Sequence, residues 1–153
     1  MALFLVQHGK CLSKDIDPNR GLSEAGRADV TRIAETASAY NVHVSRILHS
    51  GKLRAAQTAE IIARILKVET IRSIDGIKPL DDVIAFAKTL PDHQDNTMLI
   101  GHLPFMERLA AFLITGSYEN PVFQFQNGGI VCLDKYPETG RWVIKWALMP
   151  VVS

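Results

Sequence analysis

Residues 2–10 read ALFLVQHGK. The run from Leu3 to Val6 is apolar and uncharged, and Gly9 closes it, which predicts a buried strand. The strand ends in Gln7-His8-Gly9, so it carries an imidazole straight onto a glycine turn. Two further stretches repeat the arrangement: RILHSGKLRAAQT at 46–58 and TMLIGHLPF at 97–105. In each, a short apolar run breaks at a polar turn holding glycine.

Working outward, Ser23 is placed to cap a helix running to about Tyr40, with Val30, Ile33, Ala34 and Ala37 on one face. RILHS gives a strand ending near His49. Ser50 is the expected cap of the next helix, whose apolar stripe holds Ile61, Ile62, Ile65 and Leu66. ETIRSI (69–74) reads as a third strand, and LDDVIAFAKTL (80–90) as a helix stopped before Pro91. TMLIG is a strand that turns through His102-Leu103-Pro104 into a helix with Met106, Leu109, Ala110 and Leu113 inward. Gly116 is expected to end that helix. GIVCLDKY (129–136) and RWVIKWALM (141–149) predict two antiparallel strands joined by the turn PETG.

Alternating strands and helices followed by a hairpin predict an α/β fold, a three-layer α/β/α sandwich. Its central sheet is mostly parallel and its C-terminal hairpin antiparallel. In such sheets ligands bind at the carboxyl ends of the strands, where His8, Ser50 and His102 all fall. The expectation is therefore one site built from three junctions.

Composition narrows the function classes. A chain of 153 residues predicts one domain spanning 1–153, and 47% hydrophobic content suffices for one core. A net charge of +1 gives no argument for nucleic acid, although it leaves room for a local positive pocket. Cys11 and Cys132 lack metal-ligand spacing and read as free thiols. The first residues lack the basic and long apolar regions of a signal peptide, and their apolar run is too short to cross a bilayer. A cytoplasmic protein is the expectation, with no membrane partner.

His8 is the candidate nucleophile, because a neutral imidazole can attack phosphorus and hold the phosphoryl group covalently. Gly9 would let the backbone approach an anion. Arg54, early in a helix, can fork onto two phosphate oxygens beside a helix N-terminus. His102 can donate a hydrogen bond to a phosphoryl oxygen. Arg20, in the loop DPNRGLSEAG, either folds over the pocket or is plain loop charge. Lys52 and Arg64 read as solvated charges, and Thr58 as a helix-packing residue. His43, His49 and His93 lack a comparable setting, and Trp142 and Trp146 read as sheet packing. A metal held by His8 and His102 would lack a convincingly spaced third ligand.

This ordered set resembles the histidine phosphatase superfamily, also called phosphoglycerate-mutase-like, and within it the small phosphohistidine phosphatases of the SixA type. The resemblance runs through QHG, NRGLSEAG, SGKLRAAQT, LIGHLPF and the closing hairpin. It implies that His8 receives the phosphoryl group, that Arg20 and Arg54 bind its oxygens, and that His102 completes the pocket. It also implies that no metal or organic cofactor takes part.

One position departs from the family. Where Arg-His-Gly is usual, the chain reads Gln7-His8-Gly9. An amide still donates hydrogen bonds to phosphate. Exchanging a charge-assisted contact for a neutral one costs on the order of 1–2 kcal/mol, roughly a ten- to thirtyfold loss in rate. A general acid for ester leaving groups is the other open position. Asp75, Asp81 and Asp82 in SIDGIKPLDD are available, with helix capping the simpler role for the last two. Phosphohistidine needs such an acid least, because its imidazole can leave as a neutral ring. The expected activity is hydrolysis of protein phosphohistidine. A broad small-molecule phosphomonoesterase acting on phosphate esters is the alternative enzyme, and a non-catalytic phosphate-binding module is the alternative outside enzymes.

Overall fold

A computed structural model describes residues 1–90 and 95–152. The expected helix stop at Pro91, and His93 beyond it, lie outside the described residues. Six strands form one sheet: β1 (Leu3–Gln7), β2 (Arg46–His49), β3 (Thr70–Ser73), β4 (Thr97–Gly101), β5 (Ile130–Lys135) and β6 (Trp142–Leu148). Their order across the sheet is β3-β2-β4-β1-β5-β6. The first four are mutually parallel; β5 runs antiparallel to both β1 and β6.

The helices are α1 (Glu24–Ala39), α2 (Leu53–Leu66), α3 (Val83–Ala87) and α4 (Phe105–Thr115). They cover both sheet faces. Val30, Ile33, Ala34 and Ala37 of α1 join Ala59, Ile61 and Ile62 of α2 over Phe4, Val6, Ile47, Met98 and Ile100. On the other face, Phe86 of α3 and Phe105, Met106 and Leu109 of α4 pack over Leu3, Leu5, Leu48, Leu99 and Val131. Strict alternation along β1 sends neighbouring residues into opposite cores. The predicted three-layer sandwich with a mostly parallel sheet is the observed one.

Ser23 caps α1 as expected, its side chain accepting from the Gly26 N–H, and Gly116 ends α4 in the left-handed region at φ 83°. Two expectations need correction, and the tryptophans, sheet packing as expected, are split between the two faces. The helix at 80–90 is only Val83–Ala87, because the preceding aspartates take backbone N–H groups. Asp81 accepts from Lys78, and Asp82 caps the helix at Ile84 and Ala85. Ser50 does not cap α2; Lys52 is the N-cap and no side chain serves it. Trp142 and Trp146, four residues apart on β6, lie on opposite faces. Between Cys132 and Leu133 on β5 the partner strand advances by two residues, from Trp146 to Ile144. The extra residue, Lys145, makes a bulge that flips the pleat. Trp146 therefore packs at 5.8 Å from Phe4, while Trp142 belongs to the opposite core.

Candidate active site

β1 and β4 are paired in register, Gln7 against Gly101, so His8 and His102 leave the sheet side by side. The His8 N–H donates to the Gly101 carbonyl at 2.9 Å, locking the two junctions together. The two imidazole centroids are 5.1 Å apart. A third junction, at the end of β2, brings Ser50, whose Oγ lies 2.6 Å from His102 Nε2. The three places read from the sequence meet at one edge of the sheet.

His8 is held at both ends of its backbone. Asn127 Nδ2 donates to its carbonyl at 2.9 Å, and the next N–H, of Gly9, donates to Thr58 Oγ1 at 3.0 Å. Thr58 is fully buried in α2, and its hydroxyl donates in turn to the Arg54 carbonyl at 2.7 Å. Thr58 thus couples the His8 turn to the helix that carries Arg54. This also corrects the reading of Gly9. Its N–H is already engaged, and a Cβ there would stand 2.8 Å from Val30 Cγ2 and 3.1 Å from Leu22 Cδ2. The space left by glycine is filled by α1 and its approach loop, not left open for an anion.

The His8 ring has a defined tautomer. Nδ1 lies 2.7 Å from the Gly9 carbonyl, which can only accept, so Nδ1 carries the proton and Nε2 keeps its lone pair. Burial pushes its pKa below the ordinary value. The Gly9 bond pulls it partly back, and Arg54 and Arg20 press it down again. His102 is 2% exposed. Burial, then His8, Arg54 and Lys52, lower its pKa to about 4. Both rings are neutral near pH 7.

The guanidinium of Arg54 is itself lowered by burial and by Arg20, a sign that two cations face the same space. Arg20 sits at φ 53°, a left-handed conformation that costs a non-glycine residue roughly 1–2 kcal/mol. Its Nη2 lies 3.4 Å from Cys11 Sγ and its Nε 3.5 Å from the Leu12 carbonyl. Asp17 holds this turn, accepting from the N–H groups of Asn19 and Gly21. Gln7 keeps its Oε1 buried with no hydrogen-bond partner, and its carbonyl accepts from Gly128.

Asp75, Asp81 and Asp82 line a groove with Lys78 and Phe86. Among the described residues, no carboxylate figures in the shifts of His8, His102 or Arg54. Likewise, no described cluster of three histidine, cysteine or acidic side chains is placed to hold a metal. Cys11 and Cys132 are free thiols. No helix among the described residues is long and apolar enough to cross a membrane.

Two contributors left no mark in the sequence, Thr58, which reads as packing, and Asn127. Ser50, already placed at the strand ends, reads as a cap and not as the partner of His102. Each acts on a histidine junction far away in the chain, so local pattern had nothing to offer.

A strand-end histidine pair and two guanidiniums therefore gather at one edge of a sheet of order β3-β2-β4-β1-β5-β6. Residues 3–78 match the model of the histidine phosphatase superfamily, branch 1. The whole chain is similar to the structure of the protein histidine phosphatase SixA complexed with tungstate. There the TM-score is 0.81 and the identity 27%, over 98% of this chain and 97% of that one. SixA from Agrobacterium tumefaciens gives a TM-score of 0.76 at 26% identity, covering 97% of both chains. A phosphoserine phosphatase from Entamoeba histolytica, in complex with 3-phosphoglyceric acid, shares the fold with a TM-score of 0.69 at 16% identity, over 95% of each chain. No curated protein sequence matches the chain. The match over residues 3–78 is to the histidine phosphatase superfamily, and the likeness of the whole chain to SixA structures supports a phosphatase.

Proposed function

We propose that the protein hydrolyses phosphohistidine in a protein substrate, with His8 as the nucleophile. The observation that carries this reading is a site of two neutral imidazoles and two guanidiniums in which no described carboxylate acts. An ester would leave as an alkoxide and would need a poised acid. Phosphohistidine would not. Its N–P bond breaks with the electron pair returning to a ring nitrogen, and a substrate ring protonated on its other nitrogen departs as neutral imidazole. The two proteins named SixA that resemble this chain, one holding the oxyanion tungstate, support the same substrate class.

In the first step the His8 Nε2 lone pair forms a bond to phosphorus as the substrate N–P bond breaks. Nδ1–H stays on the Gly9 carbonyl, so the phosphorylated ring is cationic and its charge is shared with that carbonyl. Arg20 and Arg54 hold the phosphoryl oxygens, and His102, braced by Ser50, approaches from the β4 side. In the second step water attacks phosphorus, the electron pair returns to Nε2, and inorganic phosphate departs. Gln7 supplies a neutral amide where the family resemblance implies an arginine, which slows the reaction without removing the nucleophile.

Turnover of a phosphohistidine peptide and of p-nitrophenyl phosphate, for the wild type and His8→Ala, tests this. The expected result is hydrolysis of the peptide at least about tenfold above the aryl ester in kcat/KM, lost in the variant, with an acid-labile phosphoenzyme trapped in the wild type. Equal turnover by His8→Ala, or a preference for the ester, overturns the reading.

A further inference from the structure

Beyond the phosphoryl pocket, a second groove of about 530 Å³ opens from the same two arginines. Lys14, Arg20, Lys52 and Arg54 line it, with Asn19 beside them and no acidic residue in the wall. The chain as a whole is nearly neutral, at +1. Four cations around one groove are therefore a local concentration and not a property of the surface. Among the described residues, none of the four comes within ion-pair distance of a carboxylate; the ion pairs there are Met1–Asp134, Arg32–Asp29 and Lys145–Asp134. The aspartate nearest in sequence to Arg20, Asp17, has its oxygens on backbone N–H groups of its own turn.

On the proposed reading Arg20 and Arg54 hold the phosphoryl group; Lys14 and Lys52 line the same groove, and Lys52 also acts on His102. Like charges gathered at one place raise the energy of the unoccupied protein, and an anion entering the groove lowers it.

We infer that the basic groove of Lys14 and Lys52 binds acidic side chains that flank the phosphohistidine of a protein substrate. The inference rests on the phosphohistidine reading for its inner end. The outer end has a different role, which is to select among phosphoproteins by the charge beside the phosphorylated residue. Lys14 is a specificity residue here, touching the partner and not the reacting atoms, whereas Lys52 also acts on His102.

Two phosphohistidine peptides, identical except that three flanking Asp/Glu residues in one are Asn/Gln in the other, separate the possibilities. Fluorescently labelled, they are bound to His8→Ala protein and followed by anisotropy. In parallel, unlabelled peptides are hydrolysed by the wild type. At low salt the acidic peptide is expected to bind about tenfold tighter. The preference should vanish at about 0.5 M NaCl, where screening is nearly complete, and in protein also carrying Lys14→Glu. Lys14→Glu in the wild-type background should leave turnover of free phosphoramidate within about twofold. Equal binding of the two peptides at low salt overturns the groove assignment, as does a preference that survives Lys14→Glu. Should the wild type hydrolyse neither peptide, the phosphatase reading falls while the binding comparison still decides the groove.

Discussion

His102 is an imidazole with almost no contact with water, paired to a serine hydroxyl and facing a second imidazole. That arrangement makes it a proton-linked weak point. Its pKa is about 4 in the folded chain against an ordinary 6.5, so as pH falls the unfolded chain takes up the proton first. The stability tied to the neutral ring is complete above 6.5 and is lost progressively between 6.5 and 4. At about pH 4.5 the loss from this residue is about 2–3 kcal/mol relative to pH 7. Urea denaturation at the two pH values should therefore show a smaller drop for His102→Asn than for the wild type, by that amount. Equal drops would mean that the buried ring is not the titrating group. His8 titrates in the same direction and is common to both proteins, so the difference isolates His102.

Among the elements, α1 owes its position to one glycine. A Cβ on Gly26 would stand 2.1 Å from the Lys10 carbonyl oxygen, so the first turn of the helix can lie against the loop after His8 only without a side chain. Gly26→Ala gains helix propensity worth up to about 1 kcal/mol. The backbone clash outweighs it, at about 3 kcal/mol or more of strain. The expected outcome is a net destabilisation of at least about 2 kcal/mol by denaturant titration; a stabilised variant would show that helix and loop can part freely. Periodicity alone revealed α1, α2 and α4, because their buried residues recur at helical spacing. The true bounds of α3 and the bulge at Lys145 were hidden, since both depend on how backbone groups are satisfied and not on which residues are apolar.

Across the whole molecule, burial is graded from the middle of the sheet to its β3 edge. Every residue of β4 and four of the five in β1 are buried, whereas all four residues of β3 are exposed. Amide hydrogen exchange should be slowest in β1 and β4, opening only on global unfolding, and faster by several orders of magnitude in β3. His8 and His102 leave the ends of the two most deeply buried of these strands, so the proposed reacting groups stand on the best-packed part of the sheet. The loops carrying Arg20 and the basic groove lie outside that frame. Exchange in β1 as fast as in β3 would contradict this division.

The one-dimensional pattern carried the order of elements, the parallel sheet with its hairpin, and the three strand-end junctions that bear His8, Arg54 and His102. These are local signals: apolar runs of strand length, helical spacing, and glycine or serine at the breaks. The contacts that hold the junctions in place came only with the folded chain. Ser50 meets His102 across 52 residues, Gly9 meets Thr58 across 49, and Asn127 meets His8 across 119. A hydrogen bond spanning such distances leaves no period in the sequence. It exists because the sheet order sets β4 between β1 and β2, and so brings three separate turns to one edge.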